Sequence, residues 1–362
     1  MQENTTRSAG SRILSALRFA IIGVLFLYLL VLTFYVILRL SVGDANWLLA
    51  LASTFFILLL LPVPVIFVLA LLLRSRVLIV FSLFLTLFSA AWLWTYFKPK
   101  PARAASGPTL HLISFNMFGF NPRVDDVKRW LRLQAADIVL LQDTPPRTIA
   151  KSGIPDLQDV YPTQYFQNND TVTLSKLLLQ EKTGISLTKR TAPVQRTVID
   201  LGGQQVAVYN VHLEHPFRSQ PRSDAPTESP LVSLLLRYDD AQRNEEIKQL
   251  IPILQKETLP FIVAGDFNTS DQSAMYRTLS AVMLDSYREQ GLGLGTSWPA
   301  GGEAGWPSYV PALIRIDYVW HSKHFCTISA VQGPKLGSDH IPLKVVLELQ
   351  RAGSVGKCAG SS

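Results

Sequence analysis

Cysteine is nearly absent: Cys326 and Cys358 are the only two in 362 residues. Two thiols cannot make the framework of a disulfide-stapled small domain, nor a structural zinc site by themselves. Cys358 falls in a Gly/Ser-rich stretch, Ala352 to Ser362, with too little apolar surface to fold. Residues 351–362 are therefore expected to be a disordered tail, and both cysteines to be unpaired thiols without a role. Charge is also scarce, at 17% of residues against 48% hydrophobic, where a soluble domain carries roughly a quarter charged. Acidic residues are missing above all from one region. Residues 1–105 hold nine basic side chains and two acidic ones, Glu3 and Asp44, which leaves 25 of each sign in the rest. The formal charge of +7 thus belongs to the N-terminal region, and the remainder is neutral. A neutral domain lacks the basic surface through which proteins cling to nucleic acid by bulk charge. The composition also excludes a disordered or collagen-like chain.

What the N-terminal region does have is long apolar runs. Phe19–Leu38 is twenty residues without a charge, about the length that crosses a bilayer core. Trp47–Leu73 is a second uncharged run, interrupted by Pro62 and Pro64; neither part is long enough alone, so it reads as one kinked helix. Val77–Phe97 is the third and carries Trp92, Trp94 and Tyr96 near its end, side chains suited to the headgroup level. Residues 1–97 are thus expected to be a membrane region with transmembrane helices at about 19–38, 47–73 and 77–97. The first run is too long for a cleavable signal, and two more follow. Placing Arg7, Arg12, Arg18, Arg74 and Arg76 inside puts five basic residues in the cytoplasm, against four for the reverse. The balance favours a cytoplasmic N-terminus and an extracytoplasmic C-terminal domain, in a multi-pass protein of the plasma or inner membrane. Lys98–Pro108, with three prolines and three basic residues, reads as a short stiff linker at 98–108.

From Leu110 onward strands and helices alternate. Strands are expected at Leu110–Phe115, Ile138–Leu141, Gly184–Leu187, Thr197–Leu201, Gln204–Val211, Phe261–Ala264, Ile314–Trp320, Cys326–Val331 and Leu343–Leu349, by their apolar runs and bounding turn residues. Val124, Val127 and Leu131 recur at helical spacing over 123–134, and Ala241–Leu254 reads as a second helix. Residues 216–236 and 289–311, rich in Pro, Gly and Ser, are expected to be long surface loops, which in a compact domain are often functional.

Polar residues stand where the buried strands end. Leu-Ile-Ser-Phe-Asn ends at Asn116, Ile-Val-Leu-Leu-Gln-Asp at Asp143, and Val-Tyr-Asn-Val-His at His212. Gly265-Asp266-Phe267-Asn268 follows another strand, Arg315-Ile316-Asp317-Tyr318 holds Asp317, and Gly337-Ser338-Asp339-His340 holds Asp339 and His340. Neighbouring strand ends share one rim of a sheet, so these groups can converge. Asp266 and Asn268, two apart, are expected on the same side of extended backbone. Carboxylates and amides with two histidines suit a hard cation such as Mg²⁺, which takes oxygen ligands and can activate water beside a phosphate. A histidine backed by a carboxylate, as His340 by Asp317, keeps its tautomer and its charge for phosphoryl oxygens.

These segments resemble the endonuclease/exonuclease/phosphatase superfamily, which includes pancreatic-type deoxyribonucleases, apurinic endonucleases, sphingomyelinases and inositol-phosphate 5-phosphatases. The resemblance covers about Thr109 to Glu348, rests most on the Gly265–Asn268 and Gly337–His340 motifs, and does not reach the membrane region. It implies a catalytic domain over 109–350 with an α/β four-layer sandwich fold, two mixed β-sheets flanked by helices. It also implies roles: Asn116 at the metal or its water, His212 and His340 at the phosphate, Asp266 and Asn268 orienting the attacking water. Asp317 would orient His340, and Asp339 would lie on the metal side. The family usually has glutamate as its main metal ligand in Leu-Gln-Glu; here that position is Asp143, one methylene shorter, so the cation must shift or a water must bridge.

Blander readings stand beside these. Asp317 pairs with Arg315 in one, His212 is a hydrogen-bonded structural histidine in another, and Arg237, Arg243 and Lys248 are solvated. A four-histidine zinc site from His212-Leu-Glu-His215 and His321-Ser-Lys-His324 would need helix or loop, since residues three apart on a strand face opposite sides. The function expected is a membrane-anchored phosphoesterase, a hydrolase using Mg²⁺ or Mn²⁺-activated water on phosphodiesters or phosphomonoesters. The alternative is a weak or inactive relative serving as a membrane-tethered binding module. Nucleic acid, phospholipid and sugar phosphate all stay open as the phosphate-ester substrate, and no protein partner is implied.

Overall fold

A computed structural model describes residues 9–144, 154–167, 170–189, 194–216, 238–351 and Cys358, in two units, Met1–Phe97 and Lys98–Ser362. The first unit is helical: α1 (Ala9–Val42), α2 (Trp47–Thr54), α3 (Phe56–Leu60), α4 (Pro62–Leu72) and α5 (Arg76–Phe97). Helices α1 and α5 are long and apolar enough to cross a membrane, and α2 with α3–α4 makes a third candidate if the bent pair is one span. The bend corrects the expected single kinked helix. It measures 74° and falls at Phe55 (φ −105°, ψ 19°), not at the prolines. Pro62 and Pro64 open α4, where the amide hydrogen they lack has no intrahelical partner to lose. Leu29, Phe56, Val63 and Leu78 form the inside of the bundle at 0% exposure. Phe19, Leu72 and Phe84 point outward at 65% exposure or more, an apolar exterior that water does not favour. Arg18 Nη2 donates to Leu73 O at 2.7 Å, gathering Arg18, Arg74 and Arg76 at one end.

The second unit holds two six-stranded mixed sheets. The first is ordered β11-β12-β1-β2-β4-β3 and the second β5-β6-β7-β8-β10-β9. The strands are β1 (Thr109–Asn116), β2 (Ile138–Gln142), β3 (Thr163–Gln167), β4 (Thr171–Ser175), β5 (Glu181–Ile185) and β6 (Val194–Leu201). They continue with β7 (Gln204–His212), β8 (Phe261–Asp266), β9 (Leu284–Asp285), β10 (Asp317–His321), β11 (Phe325–Gln332) and β12 (Leu343–Leu349). Alternate residues divide between two cores. Leu110, Leu112, Ile138 and Leu140 face Val206, Val208, Ile262 and Ala264 between the sheets. Ile113, Val139 and Leu141 pack outward on Val127 and Leu131 of helix α6 (Val124–Leu133). Ala207, Tyr209 and Val263 pack outward on Ile247, Leu250 and Leu254 of α7 (Ala241–Lys256). Strands buried on both faces read as unbroken apolar runs, which is why their positions are visible in the sequence. This is the four-layer sandwich with helices outside.

Strands β3 and β4 had no such signal; β3 is a half-buried edge strand with sequence Thr-Gln-Tyr-Phe-Gln. Of the two expected long loops, 216–236 lies outside the described residues except Pro216, and 289–311 holds no helix or strand after Gln290. The stretch 98–108 is pinned to its domain. Lys100 Nζ donates to the carbonyls of Tyr287, Arg288 and Gly291, Arg103 Nη1 donates to Thr327 O at 3.2 Å, and the amides of Ser106 and Gly107 donate to Glu348.

The cysteines are not free. Cys326 and Cys358 form a disulfide, which corrects the expectation of two unpaired thiols. Strand β12 runs antiparallel beside β11 and sets Glu348 opposite Cys326, so the chain returns to Cys326 just before Cys358. The rest of the expected tail lies outside the described residues, except Arg351.

Candidate active site

Sheet register builds the site. Strands β1 and β2 are parallel with Asn116 opposite Gln142. Strands β7 and β8 are parallel with His212 opposite Asp266, and β10 runs antiparallel to β8 with Asp317 also opposite Asp266. Parallel pairing sets strand ends side by side, and the sandwich closes the gap between sheets: Asn116 Nδ2 donates to Asp266 Oδ2 at 2.9 Å. The approach of β8 to β7 needs Gly265 (φ 144°), where a Cβ would lie 1.8 Å from Val211 O.

Asp266 is 1% exposed and sits at the centre. Its expected alignment with Asn268 on one extended strand is not what occurs. The strand stops at Asp266, and Asn268 adopts φ 49°, a left-handed conformation that Asn tolerates. This turn brings Asn268 N to Asp266 Oδ1 at 2.8 Å and Asn268 Nδ2 to Asp266 Oδ2 at 3.2 Å. Arg243, expected in solvent, is 2% exposed and donates to Asn268 O at 2.6 Å and to Asp240 at 2.9 Å.

Two histidines flank Asp266, each backed by its own carboxylate. His340 Nδ1 donates to Asp317 Oδ2 at 2.9 Å, and its Nε2 lies 3.7 Å from Asp266 Oδ2. His212 Nδ1 donates to Asp170 Oδ1 at 2.8 Å, and its Nε2 lies 3.9 Å from the same Asp266 oxygen. Burial opposes charge on the His212 ring, but Asp170 outweighs it and lifts the pKa to about 9. Burial likewise opposes charge on His340, and Asp317 with Asp266 raises it overall. Burial lifts the Asp266 carboxyl above its usual range against the pull of His340. Asp266 thus stands between two rings whose pKa values their backing carboxylates raise, with both Nε2 atoms within 3.9 Å of one Asp266 oxygen.

The alternative that pairs Asp317 with Arg315 does not describe this arrangement, whereas His212 is hydrogen-bonded, to Asp170. Arg315 leaves Asp317 to His340 and pairs with Asp285 at 2.6 Å. Of the other histidines, His321 is fully buried and bonded to Glu289 and Thr327, and His324 contacts Ser322. Among the described residues the group whose ligand atoms lie together is Asp266, Asp317 and His340, within 4.8 Å, not four histidines.

Asn116, Asp143 and Asp339 adjoin this cluster. Asn116 Oδ1 accepts from Phe118 N at 3.0 Å, and Asp143 Oδ2 accepts from Gly119 N at 2.9 Å. One short loop therefore holds both. Asp143 stands just beyond β2 with φ 50°. Asp339 Oδ2 accepts from Trp298 Nε1 at 3.0 Å. Ser338 Oγ donates to Asn116 O at 2.7 Å and accepts from His340 N at 3.0 Å, joining the last motif to the first. Two carboxylates and an amide are the oxygen donors that Mg²⁺ or Mn²⁺ takes, and Asp317 Oδ1 is buried without a hydrogen-bond partner among the described residues. The donor set fits a hard cation.

Asp170 went unseen in the sequence. It follows β3 and precedes β4, the strands without an apolar signature, and its carbonyl is held by Thr144 N at 2.9 Å, the residue after Asp143. Trp298 likewise lies in a stretch without helix or strand, where residue order carries no signal of its partner.

The Endonuclease/Exonuclease/phosphatase family model matches residues 113–340, more than half of the chain. A search of curated proteins finds no significant match. Among solved structures, an endonuclease/exonuclease/phosphatase from Bacteroides vulgatus superposes with a TM-score of 0.51 at 17% identity, covering 67% of this chain and 99% of that one. A family protein from Bacteroides thetaiotaomicron gives 0.50 at 15% identity, covering 68% and 100%. One from Leptotrichia buccalis gives 0.50 at 16%, covering 66% and 100%. These likenesses are of fold, while the matched segment contains every strand-end group described above from Asn116 to His340. The chain belongs to the endonuclease/exonuclease/phosphatase family.

Proposed function

We propose that this protein is a membrane-anchored, divalent-metal-dependent phosphoesterase that hydrolyses phosphodiester bonds. The observation that carries the reading is Asp266 set between His212 and His340, each charged and backed by a carboxylate. The histidine Nε2 hydrogens bind non-bridging phosphoryl oxygens, whose negative charge grows in the transition state. Asp266, held by Asn116 and Asn268, accepts a proton from the attacking water. Asp170 and Asp317 keep the rings oriented and charged. Asn116, Asp143 and Asp339 would hold the cation, and the chemistry it would supply is polarisation of the phosphate and charge stabilisation at the leaving oxygen.

Asp143 is the observation favouring the alternative, a weak relative that binds without turnover, because its side chain is one methylene shorter than the glutamate usual at this position. Mg²⁺ tolerates little distortion of its octahedron, and Mn²⁺ accepts irregular N/O sites more readily, so the wild type works better with Mn²⁺. One set of measurements decides. The full chain is assayed on a panel of phosphodiesters and monoesters with Mg²⁺, Mn²⁺ or chelator, beside calorimetric titration of both metals into wild type, Asp143→Glu and Asp143→Ala. Activity is expected only with added metal. Glu tightens Mg²⁺, and Ala weakens metal binding about 10-fold or more, the scale of losing a ligand or its partner. Turnover in excess chelator, or restoration by zinc alone, rejects the oxygen-ligand site. No metal binding at millimolar concentration leaves the binding module as the function.

The catalytic domain is extracytoplasmic in this reading. Its support is the Cys326–Cys358 disulfide, since such bonds persist in oxidising compartments, together with the basic residues gathered at one end of the helical unit. Cells quenched with a thiol-alkylating reagent should yield protein that is labelled only after reduction. Full labelling without reductant places the domain in the cytoplasm.

A further inference from the structure

We propose that Trp298 is a positioning residue: its indole N–H fixes the Asp339 carboxylate so that the oxygen it does not bind faces the divalent cation. The inference rests on the reading of Asp339 as a metal-side group. Trp298 Nε1 donates to Asp339 Oδ2 at 3.0 Å, and two residues along, Ala300 N donates to Asp339 O at 2.7 Å. The same turn therefore grips Asp339 by side chain and backbone.

The turn is itself immobilised. Trp298 pairs with Ile314 as an antiparallel bridge, with Ile314 N donating to Trp298 O at 3.0 Å and Leu313 N to the same oxygen at 2.8 Å. Its neighbour Ser297, 3% exposed, accepts at Oγ from Ile316 N and Asp317 N, each at 3.2 Å. Ile341 N donates to Ser297 O at 2.9 Å. Trp306 packs edge-on against the indole at 5.2 Å between centroids. Asp317, Asp339 and Ile341 are thus tied to one dipeptide, and His340, which lies between Asp339 and Ile341, bonds Asp317.

The chemistry of the indole makes the choice of residue meaningful. It is a donor only, so it can hold a carboxylate but cannot compete with it for the metal. A donor on one oxygen of an ionised carboxylate makes a charge-assisted bond and sets the plane in which the other oxygen meets its cation. Outer partners of this kind change metal affinity by about 10–100-fold when removed.

The test is calorimetric titration of Mn²⁺ alone into the full chain and into Trp298→Phe, Asp339→Asn and the double variant, with thermal midpoints of the chelated proteins as a control on folding. Trp298→Phe keeps an aromatic ring and loses the N–H; it is expected to weaken Mn²⁺ binding about 10–100-fold. In the Asp339→Asn background the same change should cost little further, because the carboxylate charge that the indole orients is already gone. Trp298→His, which restores a ring donor, should recover part of the affinity, and it carries the test if the Phe variant does not fold. Wild-type Mn²⁺ affinity in Trp298→Phe, with Asp339→Asn weakened, overturns the proposal while leaving the metal reading intact. Wild-type affinity in Asp339→Asn as well overturns both. Additive losses in the double variant also overturn it, since the indole would then act elsewhere.

Discussion

Asp266→Asn and His340→Ala each lower turnover at saturating metal by about 10²-fold or more, with the fold intact. The magnitude is that of removing a general base or a charge-stabilising donor from a water-excluded site. Asp266 is 1% exposed and receives hydrogen bonds from both Asn116 and Asn268. An amide in its place keeps the volume but loses the charge that the two imidazolium groups surround. His340→Ala removes one of those groups and leaves Asp317 buried without its partner. Steady-state rates at several metal concentrations, with circular dichroism of each variant, make the comparison. Rates within a few-fold of wild type in either folded variant would show that the residue does not serve the reaction. Both effects acting on one transition state, the double variant should lose little more than the worse single one.

Arg315→Met destabilises the fragment 98–362 by about 3–5 kcal/mol, the cost of stranding a buried charge by removing its partner. Arg315 is 2% exposed. It donates to both oxygens of Asp285, at 2.6 and 3.0 Å, lies 3.4 Å from Asp271 and stacks over Tyr318 at 4.5 Å. Asp285 in turn caps α8 (Ser286–Gln290), accepting from Tyr287 N at 2.9 Å. Met fills the volume but leaves the buried carboxylate without its bidentate counter-charge, held by Tyr276 Oη and the amides of Tyr287 and Arg288. Urea unfolding followed by tryptophan fluorescence gives the difference, and Asp285→Asn in the same background should return part of it. A loss under about 1 kcal/mol would mean that water or Arg288 takes over, and that the pair is dispensable. The consequence for the site is indirect, since Asp317 lies two residues away at the start of β10.

The second prediction marks a limit of reading along the chain. Arg315 and Asp317 are close in sequence and of opposite sign, so a local pairing was the simple alternative. Side chains two apart on an extended strand share a face, but Arg315 precedes β10, and the buried Asp285 offers a bidentate partner from another strand. Asp317 is left for His340, which arrives from a motif 23 residues downstream.

Much of the domain was nonetheless visible from residue order. Burial on both faces gives β2 and β8 their nearly continuous apolar runs and leaves apolar-rich stretches at β1, β7, β10 and β12. The polar residues that end those runs form the candidate site, because neighbouring strand ends bring Asn116, His212 and Asp266 to one rim. The apolar runs of the N-terminal region are likewise intrinsic to composition, and so is the charge asymmetry. What required the folded chain were contacts between distant segments. Asp170 backs His212 from a turn between two strands of ordinary polarity, Trp298 reaches Asp339 from a loop, and Asn268 meets Asp266 through a left-handed turn rather than along a strand. Cys358 finds Cys326 because β12 returns beside β11. In each case the partner is chosen by strand register and by packing of one sheet on the other, and neither quantity is written in any single stretch of sequence.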